Sequence, residues 1–185
     1  MDGGLMAAPV IALVGWSGSG KTTLLTALLP VLAQRGLSVS TLKHAHHTVD
    51  PDQPGKDSHR HRMAGARETM LATRERFVLF REHRSEDEPD LALLLGRMAP
   101  VDLYIAEGFK SAPVRKLEVH RPALGKRPLW PDWPGIIAVA ADGDVGPCPL
   151  PLLDLGDASA IAQFIVTGLG LRLDVKSEHS RFYDE

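Results

Sequence analysis

Asparagine is missing from this chain altogether, and cysteine occurs once. The first absence excludes any recognition motif built on an asparagine amide. The second excludes an internal disulfide. Cys148 sits between two prolines, and nothing near it in sequence would activate a thiolate. An excess of positive charge is missing too, since the formal net charge is −2. A general nucleic-acid binder carries a clear basic excess, so that class is set aside. No apolar run approaches a membrane span, and no membrane partner is expected. The start, Met1-Asp2-Gly3-Gly4, lacks the basic and long apolar segments of a secretion signal. These features point to a cytoplasmic protein. With 185 residues the chain can bury a good core as one domain. We expect residues 1–171 to form that domain and 172–185 to be a polar, flexible tail.

What is present is a glycine-rich stretch, Gly15-Trp16-Ser17-Gly18-Ser19-Gly20-Lys21-Thr22. It fits G-x-x-x-x-G-K-[ST], the Walker A phosphate loop. The apolar run before it, Val10 to Val14, reads as a buried strand, and Thr22 to Arg35 as a helix. A glycine turn between strand and helix gathers backbone N–H groups around one concavity. The positive end of the helix dipole points there as well. Lys21 can reach the β- and γ-phosphates of a nucleotide, and Thr22 can place its hydroxyl on Mg²⁺. The motif therefore offers Gly15 through Thr22 as the phosphate site.

The rest of the chain alternates strands and helices. Strands are expected at 37–43, 101–106, 117–120, 136–141 and 152–155. Helices are expected at 56–66, 90–98 and 157–169, with Asp157 as the N-cap of the last. Residues 69–72 and 77–80, joined by the charged turn Thr73-Arg74-Glu75-Arg76, read as a hairpin. The fold class is α/β: a three-layer P-loop domain with a mostly parallel sheet and an added β-hairpin.

P-loop proteins usually carry an apolar strand that ends in an acid on the Mg²⁺ side. Val101 to Gly108 supplies two acids, Asp102 and Glu107. Ligands bind at the carboxyl ends of strands in open α/β sheets. Asp102 sits at the other end, about 16 Å away along the strand. Glu107 is therefore the metal-side candidate together with Thr22. Guanine-specific P-loop proteins often read the base through N-K-x-D, which the missing asparagine excludes. Asp142, after the strand 136–141, is either a plain turn residue or a carboxylate that accepts from guanine N1 and N2.

Most of the eight histidines fall between His44 and His61. There is no cysteine partner and no H-E-x-x-H pattern for zinc. From Lys56 to Arg84, Lys and Arg outnumber Asp and Glu. The segment is either a solvated face or a cradle for a second anion.

At these residues the chain resembles a known family. Lys43-His44-Ala45-His46-His47, with Asp50 three residues on, is followed by Pro54-Gly55-Lys56-Asp57-Ser58 and Ala64-Gly65-Ala66. Glu107-Gly108-Phe109-Lys110 follows the second apolar strand. With the glycine loop, these resemble the molybdopterin-guanine dinucleotide biosynthesis adaptor family, MobB, over about residues 9 to 168. The resemblance implies a GTP- and Mg²⁺-binding homodimer with at most slow GTPase activity, with Lys21 and Glu107 as catalytic candidates and a phosphate site that runs from Gly15 to Thr23 on the matching positions. It would assist the guanylyltransferase that joins GMP to molybdopterin. Lys43, His44, His46, His47, Asp50, Lys56, Asp57 and Arg60 form the candidate site for a second anion or partner, molybdopterin among the possible ligands. The alternative is a small-molecule kinase on the same scaffold. Asp50 or Asp57 would then be the base, and Arg60, Arg62 and Arg67 would serve a lid.

Overall fold

The computed structural model describes residues 9–45, 50–82 and 90–173. Most of the expected tail, residues 174–185, lies outside that range. The chain divides into two compact units, Met1–His44 with Met98–Glu185, and Ala45–Arg97.

In the first unit the strands are β1 (Val10–Val14), β2 (Val39–Lys43), β5 (Leu103–Glu107), β6 (Arg115–His120), β7 (Ile136–Ala141) and β8 (Leu152–Asp154). Its helices are α1 (Lys21–Gln34) and α4 (Ala158–Leu169). The six strands form one sheet in the order β2-β5-β1-β6-β7-β8, every pair parallel. One face of the sheet is apolar, through Ile11, Leu13, Leu103, Ile105, Leu117 and Val119. It packs with Leu24, Leu28 and Leu32 of α1 and Ile161 and Ile165 of α4 in one core. Each such side chain contributes about 1.5–3 kcal/mol on burial. Asp157 caps α4 as its sequence predicts: the carboxylate accepts the Ala160 N–H at 2.8 Å.

The other face is unlike a solvated one. Along β6 the side chains of Lys116, Glu118 and His120 alternate with those of the core and point the opposite way. All three are buried, Glu118 completely. The connection from β6 to β7 covers them. Pro122–Leu124 is a 3₁₀ turn there, and the remaining residues form no helix. Right-handed crossovers put this connection, and the one from β5 to β6, on the face away from α1.

Asp102 lies at the start of β5 and accepts the Ser38 N–H at 2.7 Å and its hydroxyl at 2.5 Å. It ties the start of β5 to that of β2, at the edge remote from the glycine loop.

The second unit holds α2 (Asp57–Met63), β3 (Glu68–Ala72), β4 (Phe77–Arg81) and α3 (Leu91–Leu95). The two strands form the expected antiparallel hairpin. Arg62 of α2 organises this unit. Its guanidinium meets Asp50 at 2.7 Å, Asp52 at 3.2 Å and Glu82 at 2.9 Å, and lies 5.3 Å from the Phe80 ring centroid. Asp52 also accepts the Ser58 hydroxyl at 2.8 Å.

Candidate nucleotide-binding site

The glycine loop joins β1 to α1 at the carboxyl edge of the sheet. Gly15 has no room for a side chain, because a Cβ there would come within 2.4 Å of the Val119 carbonyl oxygen. Gly20 is the N-cap of α1 at φ 96°, a conformation that L side chains rarely adopt. Ser19 is buried, and its hydroxyl has no partner among the described residues. Lys21 curls back, donating to the carbonyls of Gly15 at 3.1 Å and Trp16 at 2.8 Å. Burial pushes its ammonium below the ordinary lysine value; Glu107 opposes the shift, while Lys110 and Lys43 add to it.

Thr22, the first hydroxyl after the lysine, donates to the Glu107 carboxylate, which lies 2.9 and 3.0 Å away through its two oxygens. Glu107 is itself buried and pairs with Lys43 at 3.3 Å. A hydroxyl and a carboxylate held together at a helix N-terminus are the hard oxygen donors that Mg²⁺ takes. Gly108 and Phe109 follow at φ 95° and 51°. A bulky residue in the left-handed region is an outlier of the kind found at ligand sites. Here Phe109 is buried and lies 5.1 Å from the His44 ring. The turn brings Lys110 to 4.9 Å over the Trp16 ring.

Beside the loop lies a cavity of about 330 Å³, lined by Gly20, Thr23, Arg121, Asp142 and Gly156 among others. Asp142 pairs with Arg121 at 3.0 Å. The Arg121 guanidinium lies so close to the loop that a Cβ on Gly20 would be 3.4 Å from its Nη2. The contact is one of charge, because the Nε–H is not directed at the carboxylate.

Arg121 was not visible as a site residue from the sequence, and neither was Glu118. The Glu118 carboxylate accepts the N–H groups of Leu129 at 2.8 Å and Trp130 at 2.9 Å. It thereby pins the stretch 125–135, which is rich in proline and tryptophan. That stretch also accepts the Trp16 indole N–H on the Arg127 carbonyl at 2.7 Å. The residues around Trp130 are therefore tied to the glycine loop. The signal in the sequence is the polar alternation Lys116-Leu117-Glu118-Val119-His120, which fits a one-sided strand equally well.

The residues expected around the second anion divide between the units. Lys43 and His44 stand in the first unit beside Glu107 and Phe109. His46 and His47 lie outside the described residues. Asp50 is held by Arg62 in the second unit. Lys56 is the N-cap of α2, and the exposed pair Asp57 and Arg60 stands at 3.9 Å in its first turn.

A parallel sheet whose first strand runs through a glycine loop into a helix defines a P-loop α/β protein of the nucleotide-binding class. The acid from the next strand, held on the hydroxyl after the lysine, belongs to the same definition. Residues 10–142 match the family model for molybdopterin guanine dinucleotide synthesis protein B, MobB, and the chain belongs to that family. It is 42% identical over 162 residues to the molybdopterin-guanine dinucleotide biosynthesis adapter protein of Escherichia coli K12, covering 85% of this chain and 91% of the relative. The Haemophilus influenzae protein of the same name is 37% identical over 157 residues, covering 85% and 87%. A crystal structure of molybdopterin-guanine biosynthesis protein B superposes with a TM-score of 0.69 at 28% identity, over 86% of this chain and 99% of that one.

Proposed function

We propose that this protein binds GTP with Mg²⁺ at the glycine loop and assists the guanylyltransferase that joins GMP to molybdopterin. The observation that carries the reading is the Thr22–Glu107 contact beside a lysine resting on its own loop's carbonyls. Thr22 and Glu107 would hold the metal, whose chemistry is to neutralise phosphate charge. Lys21 would leave the Gly15 and Trp16 carbonyls for the β- and γ-phosphates. Asp142, at the rim of the 330 Å³ cavity, would accept from guanine N1 and N2 once released from Arg121. The relatives' name, adapter protein, supports an accessory role in this biosynthesis. The kinase alternative is weaker. Two of its components, Asp50 as base and Arg62 as lid arginine, are engaged with each other.

The reading extends to a homodimer, through the hairpin, and to a second anion. The hairpin presents Met70, Leu71, Phe77, Val78 and Leu79 to solvent, and a second copy would cover them. Lys56 and Arg60 of the second unit would take molybdopterin's phosphate or an acidic face of the guanylyltransferase. The test is the double variant Lys56→Ala/Arg60→Ala, assayed for GTP binding and for stimulation of the guanylyltransferase. Intact GTP binding with lost stimulation is expected. Stimulation that survives would leave this segment a solvated surface.

A further inference from the structure

The second face of the first unit's sheet carries a cleft of about 800 Å³. It lies between the two connections that carry the chain from β5 to β6 and from β6 to β7. In a doubly wound sheet helices ordinarily fill this layer. Here neither connection is an α-helix, and the space between them stays open. Val114, Ile137 and the ring of Trp133 give the cleft an apolar wall.

Its charge is one-sided. Lys110, Lys116 and Arg127 line it, and the acid among its lining residues, Asp132, is paired with Arg127 at 3.0 Å. Arg115 borders the cleft too, but it has the parity of Leu117 and Val119, and its guanidinium is anchored on the Gly168 carbonyl of α4 on the other face. Lys116 is the unusual member, being 2% exposed. Its ammonium donates to the carbonyls of Val114 at 3.2 Å and Pro134 at 2.8 Å, with no carboxylate paired to it among the described residues. An ammonium has three donors, and a buried charge with only carbonyl partners is costly to keep. Burial pushes the Lys116 value down accordingly. Gly135 is shaped to the same arrangement: a Cβ there would stand 2.8 Å from the Val114 oxygen and 3.1 Å from the Lys116 nitrogen.

Stapling the two connections accounts for two of the lysine's donors. It does not account for a wide apolar cleft rimmed by further cations. We propose that the cleft binds a small organic anion, with a flat apolar ring against Trp133 and its charge against the cations of the rim. A ring alone would leave the third Lys116 donor unanswered, and inorganic phosphate alone would leave the apolar wall wet. None of residues 15–23 lines the cleft, although Lys110 and Arg127 touch Trp16, so its ligand does not depend on the loop taking GTP.

Calorimetric titration with 2-naphthyl phosphate tests it, with 2-naphthol and inorganic phosphate as the two half-probes. The titrations use Lys21→Ala protein, which weakens phosphate capture at the glycine loop, and are repeated on the unaltered chain. We expect one saturable site per chain for 2-naphthyl phosphate in the Lys21→Ala protein, retained in the unaltered chain, with each half-probe weaker by about tenfold or more. In the Lys21→Ala background, Arg127→Gln and Trp133→Leu should each weaken the full probe by about fivefold or more. Melting curves confirm that the variants are folded, and two chemically different changes guard against the loss of either one. No saturable binding, equal binding of 2-naphthol, or full affinity in both folded variants would overturn the proposal.

Discussion

Glu118 shows how one buried carboxylate can hold a whole connection. It has no exposed surface and accepts two backbone N–H groups from residues 129 and 130. Burial nevertheless raises its value above the ordinary 4.5, outweighing those two bonds and the neighbouring His120. The sign follows directly. A raised value means that the folded state holds the proton more tightly than the unfolded state. The stability that Glu118 contributes therefore falls as pH rises from about 4.5 through its raised value. Glu118→Gln removes this titration and leaves one N–H without an acceptor, at a cost of about 1–3 kcal/mol. Melting curves of both proteins from acid to neutral pH should show the wild type more stable, with the gap narrowing as pH rises. A gap that widens would contradict the assignment.

At the scale of elements, Arg62 does for the second unit what Glu118 does for the first. It is the cation against Asp50, Asp52 and Glu82, and it also lies near Phe80. Arg62→Ala leaves these acids facing one another, and amide exchange in β3 and β4 should accelerate while β1 stays protected. Arg62→Lys should rescue only in part, since a point charge cannot match the planar fork. Unchanged exchange in the hairpin would refute the role. The elements legible in the sequence are those whose cause is local. The glycine loop, the hairpin and the Asp157 cap each depend on residues a few positions apart. Glu107 was separable from Asp102 because strand direction fixes which end meets the ligand. The 126–135 stretch was not legible, because its anchors are far away in sequence, Trp16 to Arg127 being 111 residues apart. Arg121 escaped for the same reason, since its place over Gly20 depends on β6 lying beside β1. The alternation in β6 was visible, yet nothing in it says that the polar side is covered.

At the scale of the molecule, the hairpin bears on assembly. A two-stranded sheet is marginal alone, and five of its large apolar side chains are exposed. Light scattering at micromolar concentration should give the mass of two chains, and Phe77→Glu with Leu79→Glu should give one. A monomeric wild type would rule out the hairpin as a dimer interface.

The proposed function rests on the glycine loop taking GTP through a metal held by Thr22 and Glu107. The most direct measurement is calorimetric titration with GTP and with ATP, each in Mg²⁺ and in EDTA, on the wild type and on Lys21→Ala. GTP in Mg²⁺ should bind the wild type more tightly than ATP, and EDTA should weaken it. Lys21→Ala should cost about tenfold or more, or about 1.4 kcal/mol. Equal affinity for the two nucleotides, indifference to the metal, or full affinity in Lys21→Ala would contradict the account.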